Sequence, residues 1–118
     1  MSGFEATGNP SIDIPDLIRW RGNGLTFVEL LQYLPYLKGE FAYINRDANI
    51  VFWVEVSEEC INVLTELTNL GTICPTSALP LTYLIDGRVP NLPVAKSNRR
   101  YKRPHWAPVT FNLIKSAA

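Results

Sequence analysis

The residues with the clearest chemical character lie close together, between positions 96 and 106. Five lysine and arginine side chains fall within eight positions, and three rings accompany them. The set consists of Lys96, Arg99, Arg100, Tyr101, Lys102, Arg103, His105 and Trp106. Cationic side chains neutralise phosphates, and flat rings stack on unpaired bases. This segment is therefore predicted to contact nucleic acid, with docking onto an acidic protein partner, or a plain solvated linker, as the alternatives.

A separation of charge along the chain underlies both binding hypotheses. Residues 1–95 hold all 11 acidic residues and only five basic ones, which gives a net charge of −6. Residues 96–118 hold six basic residues and no acidic one, which gives +6, so the formal total is zero. Such asymmetry indicates either an external polyanionic partner or an arm that lies on an acidic body, its own or another chain's.

Spacings typical of catalytic or metal sites are missing from the sequence. His105 is the single histidine, and Cys60 and Cys74 are not spaced as zinc ligands are. Gly22-Asn23-Gly24 indicates a turn rather than a phosphate-binding loop. The sequence therefore predicts a binding protein that is not an enzyme and that holds no metal or cofactor.

Length and composition favour one folded domain. A chain of 118 residues with 47% apolar and 19% charged residues is typical of a globular protein rather than a disordered one. Cys60 and Cys74 are expected to be buried, reduced thiols, with a disulfide between them as the alternative. No run approaches the roughly 20 apolar residues of a membrane span, and the first residues lack the apolar core of a secretory signal. A cytoplasmic protein without a membrane partner is expected.

The elements that must position the basic residues are best specified between residues 25 and 56. Thr26 and Glu29 have the spacing of a capping box at the start of a helix. Pro35 disfavours the helical conformation at the residue before it and cannot donate a backbone hydrogen bond. A helix is therefore predicted over residues 26–34.

A β-hairpin is predicted directly after this helix. Two β-rich runs, residues 40–44 and 50–56, flank a polar loop that has no glycine. Asn45 or Asn49 would have to adopt any left-handed conformation that the loop needs. The second run, IVFWVEV, is apolar at almost every position. It is expected to be central in the sheet or to form a subunit interface, which would make the protein a homo-oligomer.

The remaining expected elements complete a single α+β domain over residues 13–87. They are a flexible arm over 1–12, a helix over 14–21 capped by Asp13, a helix over 57–70 capped by Ser57, strand candidates over 72–74 and 81–85, and an extended basic arm over 88–118 with a terminal strand over 109–114. The fold class is α+β, with an antiparallel sheet of about four strands and two main helices. The terminal strand is expected to fold back or to pair with another chain.

One part of this plan resembles the last helix and wing of winged-helix domains. The resemblance is carried by Ser57-Glu58-Glu59, Leu64-Thr65-Glu66-Leu67, Gly71-Thr72-Ile73 and the run LTYLI over 81–85. In that fold the helix reads the major groove of DNA, and the hairpin lies on the sugar-phosphate backbone of the DNA. This helix has no lysine or arginine. The resemblance therefore implies a winged-helix-like module that docks proteins rather than one that reads DNA.

Overall fold

The fold is α+β, as predicted, and is described here from a computed structural model for residues 3–96 and 99–114. Within these residues the chain forms α-helices and β-strands in the order α1 Pro10–Arg21, α2 Phe27–Tyr33, β1 Lys38–Asn45, β2 Ile50–Val56, α3 Glu58–Asn69, β3 Ile73–Ser77, α4 Pro80–Asp86, β4 His105–Trp106 and β5 Val109–Leu113, with a 3-10 turn at Pro35–Leu37. The strands form two small sheets, ordered β1-β2-β4 and β3-β5. The expectation of one antiparallel sheet with two main helices is wrong in three respects: the strands form two sheets, β2 and β4 run parallel, and the described residues form four α-helices.

The helix and hairpin are confirmed close to their predicted bounds. The Thr26 hydroxyl accepts a hydrogen bond from the Glu29 amide at 3.1 Å, and the Glu29 carboxylate accepts one from the Thr26 amide at 3.3 Å. Asn49 adopts the left-handed conformation in the hairpin loop, with φ 59°. The apolar strand β2 lies between β1 and β4, so its central position is confirmed.

The run LTYLI forms a helix, and the strand predicted over 81–85 is wrong. Pro80 occupies the start of α4, where its fixed φ suits a helix, and Gly87 ends the helix with φ 81°. β3 pairs with β5 instead, from Ile73 with Leu113 to Ser77 with Val109. In winged-helix domains the wing is a hairpin. Residues 73–85 do not form this hairpin, because their second half is helical and β3 pairs with β5.

The first helix begins earlier than predicted. Asn9 caps α1, and Asp13 lies inside the helix rather than at its cap. The buried Asp13 carboxylate accepts hydrogen bonds from the Thr7 amide and hydroxyl, the Gly8 amide and the Tyr36 hydroxyl. Burial raises the pKa of Asp13, but these four bonds outweigh it and hold the pKa below its usual value. The N-terminal segment is thus tied to the domain at residues 7 and 8.

An aromatic cluster forms the centre of the core and joins elements distant in sequence. The Phe27 ring stacks on Trp53 with centroids 6.0 Å apart and meets Phe111 edge-on at 5.0 Å. Tyr83 of α4 lies 5.1 Å from Trp53 and 5.2 Å from Trp106. Trp53 of β2 is therefore a buried packing residue. Because Trp106 contributes a ring, the core holds in place the end of the run of basic residues identified in the sequence.

The two cysteines are free and have different surroundings. Cys60 on α3 is fully buried, and burial together with the charge of Glu59 raises the pKa of its thiol to about 12. Cys74 on β3 is exposed. The expectation of buried thiols is therefore correct for Cys60 and wrong for Cys74.

Candidate functional site

The basic segment, defined as residue 96 and residues 99–106, lies against the hairpin loop of β1 and β2. The Tyr101 amide donates to the Ala48 carbonyl at 3.0 Å, and the His105 amide donates to the Asn49 carbonyl at 3.0 Å. The Asn49 side-chain amide donates back to the Tyr101 carbonyl at 3.2 Å. These bonds hold the segment at two points, so this part of the chain follows the surface of its own domain.

The two ends of the basic segment are also held near each other. The Trp106 amide donates to the Pro93 carbonyl, and the Ala95 amide donates to the Trp106 carbonyl, both at 2.8 Å. The Lys96 amide donates to the Tyr101 hydroxyl at 2.8 Å. A backbone fixed in this way has less conformational freedom to lose when it binds a partner.

The cations of the basic segment are all exposed, and most have no acidic partner among the described residues. The ion pairs there are Arg19 with Asp16, Arg21 with Glu29 and Arg88 with Glu55. Lys96, Arg100, Lys102 and Arg103 are exposed and belong to none of these pairs. The Arg99 guanidinium lies 5.1 Å from the centroid of the Tyr101 ring. The described part of the segment therefore presents a group of positive charges to solvent.

The three rings have roles that the sequence did not distinguish. Tyr101 and His105 stack on each other, with centroids 3.8 Å apart and planes 22° from parallel. Trp106 is only 2% exposed and packs in the aromatic core. The prediction that Trp106 stacks on a base does not fit this structure, because its ring is covered by Tyr83 and Trp53. Tyr101 remains half-buried at the surface.

A groove of about 880 Å³ adjoins the basic segment. Its walls come from four parts of the chain: the hairpin, the connection from the end of β3 to the start of α4, the extended residues 94–96, and the connection from β4 to β5. The lining residues are Asn45, Ala48, Ile50, Phe52, Ser77, Ala78, Leu79, Pro80, Val94, Ala95, Lys96, Ala107, Pro108 and Val109. Lys96 is the one charged residue in this lining. Ligand sites commonly have this size. Sequence reasoning missed the groove because no local pattern links four separate segments.

An exposed apolar patch, defined as Leu79, Leu81, Leu84 and Ile85, lies on and beside α4. These side chains are 72%, 60%, 56% and 78% exposed. Tyr83 alone among the described side chains of this helix is fully buried. Clustered apolar side chains on a surface are typical of contact sites for other macromolecules.

Neither a metal site nor a membrane-spanning helix emerges from the described residues. No group of three histidine, cysteine, aspartate or glutamate side chains there is placed to hold a metal ion. None of the described helices has the length and apolar character needed to cross a bilayer. Comparison with known proteins finds no family model, curated protein or solved structure that matches this chain.

Proposed function

We propose that this protein is a non-enzymatic binding protein that contacts nucleic acid through the basic segment. The observation that carries the proposal is the set of exposed cations on a backbone fixed to the hairpin loop. Lys96, Arg100, Lys102 and Arg103 lack an ion-pair partner among the described residues, so binding a phosphate would not first require breaking such a pair. Neutralisation of phosphates releases counterions and supplies most of the affinity of such contacts.

The rings of the segment contribute less than the charges in this mechanism. Trp106 is buried, and the Tyr101 and His105 rings already contact each other. Arg99, beside the Tyr101 ring, adds a fifth cation to the surface. Electrostatic contact with the phosphates of the nucleic acid is therefore the main contribution to affinity. Stacking of bases on the rings of the basic segment contributes less. Affinity should fall steeply as salt rises.

A salt titration of the purified chain against fluorescent oligonucleotides tests the proposal. Four phosphate contacts on a duplex predict a slope of log affinity against log salt of about −4. A variant with Arg100→Glu, Lys102→Glu and Arg103→Glu should bind much more weakly and with a shallower slope. The matched control carries Arg19→Glu, Lys38→Glu and Arg88→Glu, which change the net charge equally at exposed positions elsewhere. No binding at low salt, or equal losses in both variants, would refute the proposal.

A second candidate function, a subunit of a protein assembly, is favoured by the apolar patch on α4. The two strands first expected to pair with another chain are occupied internally, since β2 lies between β1 and β4, and β5 pairs with β3 and bridges to Leu25. The patch, in contrast, is exposed. Light scattering decides whether the chain self-associates and whether Leu81→Glu with Ile85→Glu disperses it. The second candidate would be excluded if the wild-type chain is a monomer and binds no other protein through the apolar patch.

A further inference from the structure

We infer that the groove beside the basic segment takes an unstacked nucleobase, so that the protein selects single-stranded nucleic acid over duplex. This inference rests on the proposed function and names the class of nucleic acid that the same site binds. It depends on three features of the described residues: the continuity of the groove with the cations, the neutral character of its walls, and the lack of a helix suited to a duplex groove.

The groove and the basic segment share Lys96, and the segment is also bonded to Ala48 of the groove. Ala48 lines the groove, and its carbonyl accepts the hydrogen bond from the Tyr101 amide. Lys96 also lines the groove, and its backbone amide is held by the Tyr101 hydroxyl. A strand whose phosphates lie along the basic segment would therefore pass the mouth of the groove, with Lys96 at the junction.

The walls of the groove match a base rather than a phosphate. Apolar atoms form slightly more than half of the lining, with Ile50, Phe52 and Leu79 among the apolar residues, and Asn45 and Ser77 add neutral polar groups. No acidic residue belongs to the lining. A base has apolar faces and a polar edge, and single-strand-binding proteins bury such faces against apolar and aromatic side chains. In a duplex these faces are already stacked and paired.

No described helix has the charge needed to enter the major groove of a duplex. The arginines of α1 are paired, Arg19 with Asp16 and Arg21 with Glu29. α2 and α4 carry no lysine or arginine, and α3 carries three glutamates and no basic residue. Helices that read duplex DNA present basic or amide side chains to base edges and phosphates. The cations lie instead on a segment without helical structure between residues 99 and 104.

The experiment compares short fluorescent oligonucleotides that differ in their bases, their sugars or their strandedness. The probes are a homothymidine strand, a homouridine strand, the same deoxy strand with abasic sugars, and a duplex of equal length. We expect both single strands to bind about 10-fold or more tightly than the duplex and the abasic strand, since a buried, stacked base contributes on that scale. The homothymidine and homouridine strands differ in the sugar and in the 5-methyl group of the base, so equal affinity for the two would show that the protein reads neither feature.

A groove-filling variant locates the base. Ser77 is exposed and lines the groove, so Ser77→Phe should remove the preference for bases while the salt dependence stays as in the wild type. Ser11→Phe, at an exposed position on α1, is the matched control. Circular dichroism shows whether each variant folds. The abasic comparison needs only the wild-type chain and remains decisive if Ser77→Phe does not fold.

The possible failures are distinguishable. Equal affinity for single strands, abasic strand and duplex, with a steep salt slope, would overturn the inference and leave the proposed function intact. A base preference that a folded Ser77→Phe variant retains would show that the base does not enter this groove, which also overturns the inference. Absence of binding to every probe at low salt would overturn the proposed function and the inference together.

Discussion

Removal of one buried hydroxyl, by Tyr83→Phe, tests the docking of α4 against the rest of the domain. The Tyr83 side chain is fully buried. Its hydroxyl accepts a hydrogen bond from the Phe27 amide at 3.0 Å and donates one to the Val109 carbonyl at 2.7 Å. The Phe27 amide lies at the start of α2, where the helix supplies no acceptor of its own. The variant leaves a donor and an acceptor unpaired, each at a cost of about 1–3 kcal/mol.

The expected loss in the free energy of unfolding is therefore about 2–6 kcal/mol, a large fraction of the roughly 5–15 kcal/mol typical of a domain. Urea denaturation followed by tryptophan fluorescence measures it, because Trp53 and Trp106 both contact the Tyr83 ring. Tyr33→Phe is the matched control, since the Tyr33 side chain lies at the surface. A loss for Tyr83→Phe no larger than that of the control would refute the buried position of this hydroxyl and the docking of α4.

Two further predictions concern Asp13 and the thiols. The pKa of Asp13 is lowered in the folded state, so its contribution to stability is present above the unfolded-state value of 3.8 and is lost as pH falls through the lower folded-state value. The difference in the free energy of unfolding between wild type and Asp13→Asn should therefore become smaller below about pH 4 when unfolding is measured across pH. A difference that stays constant with pH would contradict the lowered pKa of Asp13. A thiol reagent should modify exposed Cys74 in the folded protein and Cys60 only after unfolding; mass spectrometry showing both modified together under native conditions would refute the buried environment of Cys60.

The features that the sequence predicted correctly are those fixed by near neighbours in the chain. The caps at Thr26 and Ser57 depend on residues three positions away, and the structure contains both. The helix–hairpin unit follows from Pro35 and from the polar loop that ends in Asn49. These signals are local because helix caps and turns are formed by hydrogen bonds between residues only a few positions apart.

The features that the sequence could not predict depend on distant partners. LTYLI has the residue types of a strand, but Tyr83 bonds with the Phe27 amide and the Val109 carbonyl, which only the folded chain brings together. Trp106 follows His105 directly, yet one ring is in the core and the other is at the surface. The charges of the basic segment were visible in the sequence, whereas the groove beside it was not.

A net charge of zero does not argue against binding a polyanion, because charges act locally in salt solution. The molecule extends 45 Å along its longest axis, several times the screening length of about 8 Å at physiological ionic strength. A phosphate at the basic segment responds to the nearby cations, which the hairpin loop holds in place through Ala48 and Asn49. Glutamates elsewhere, such as Glu58, Glu59 and Glu66 on α3, disfavour phosphate contact with that helix. Under the proposed function, the exposed cations of the basic segment would orient a bound strand toward that segment and the groove beside it.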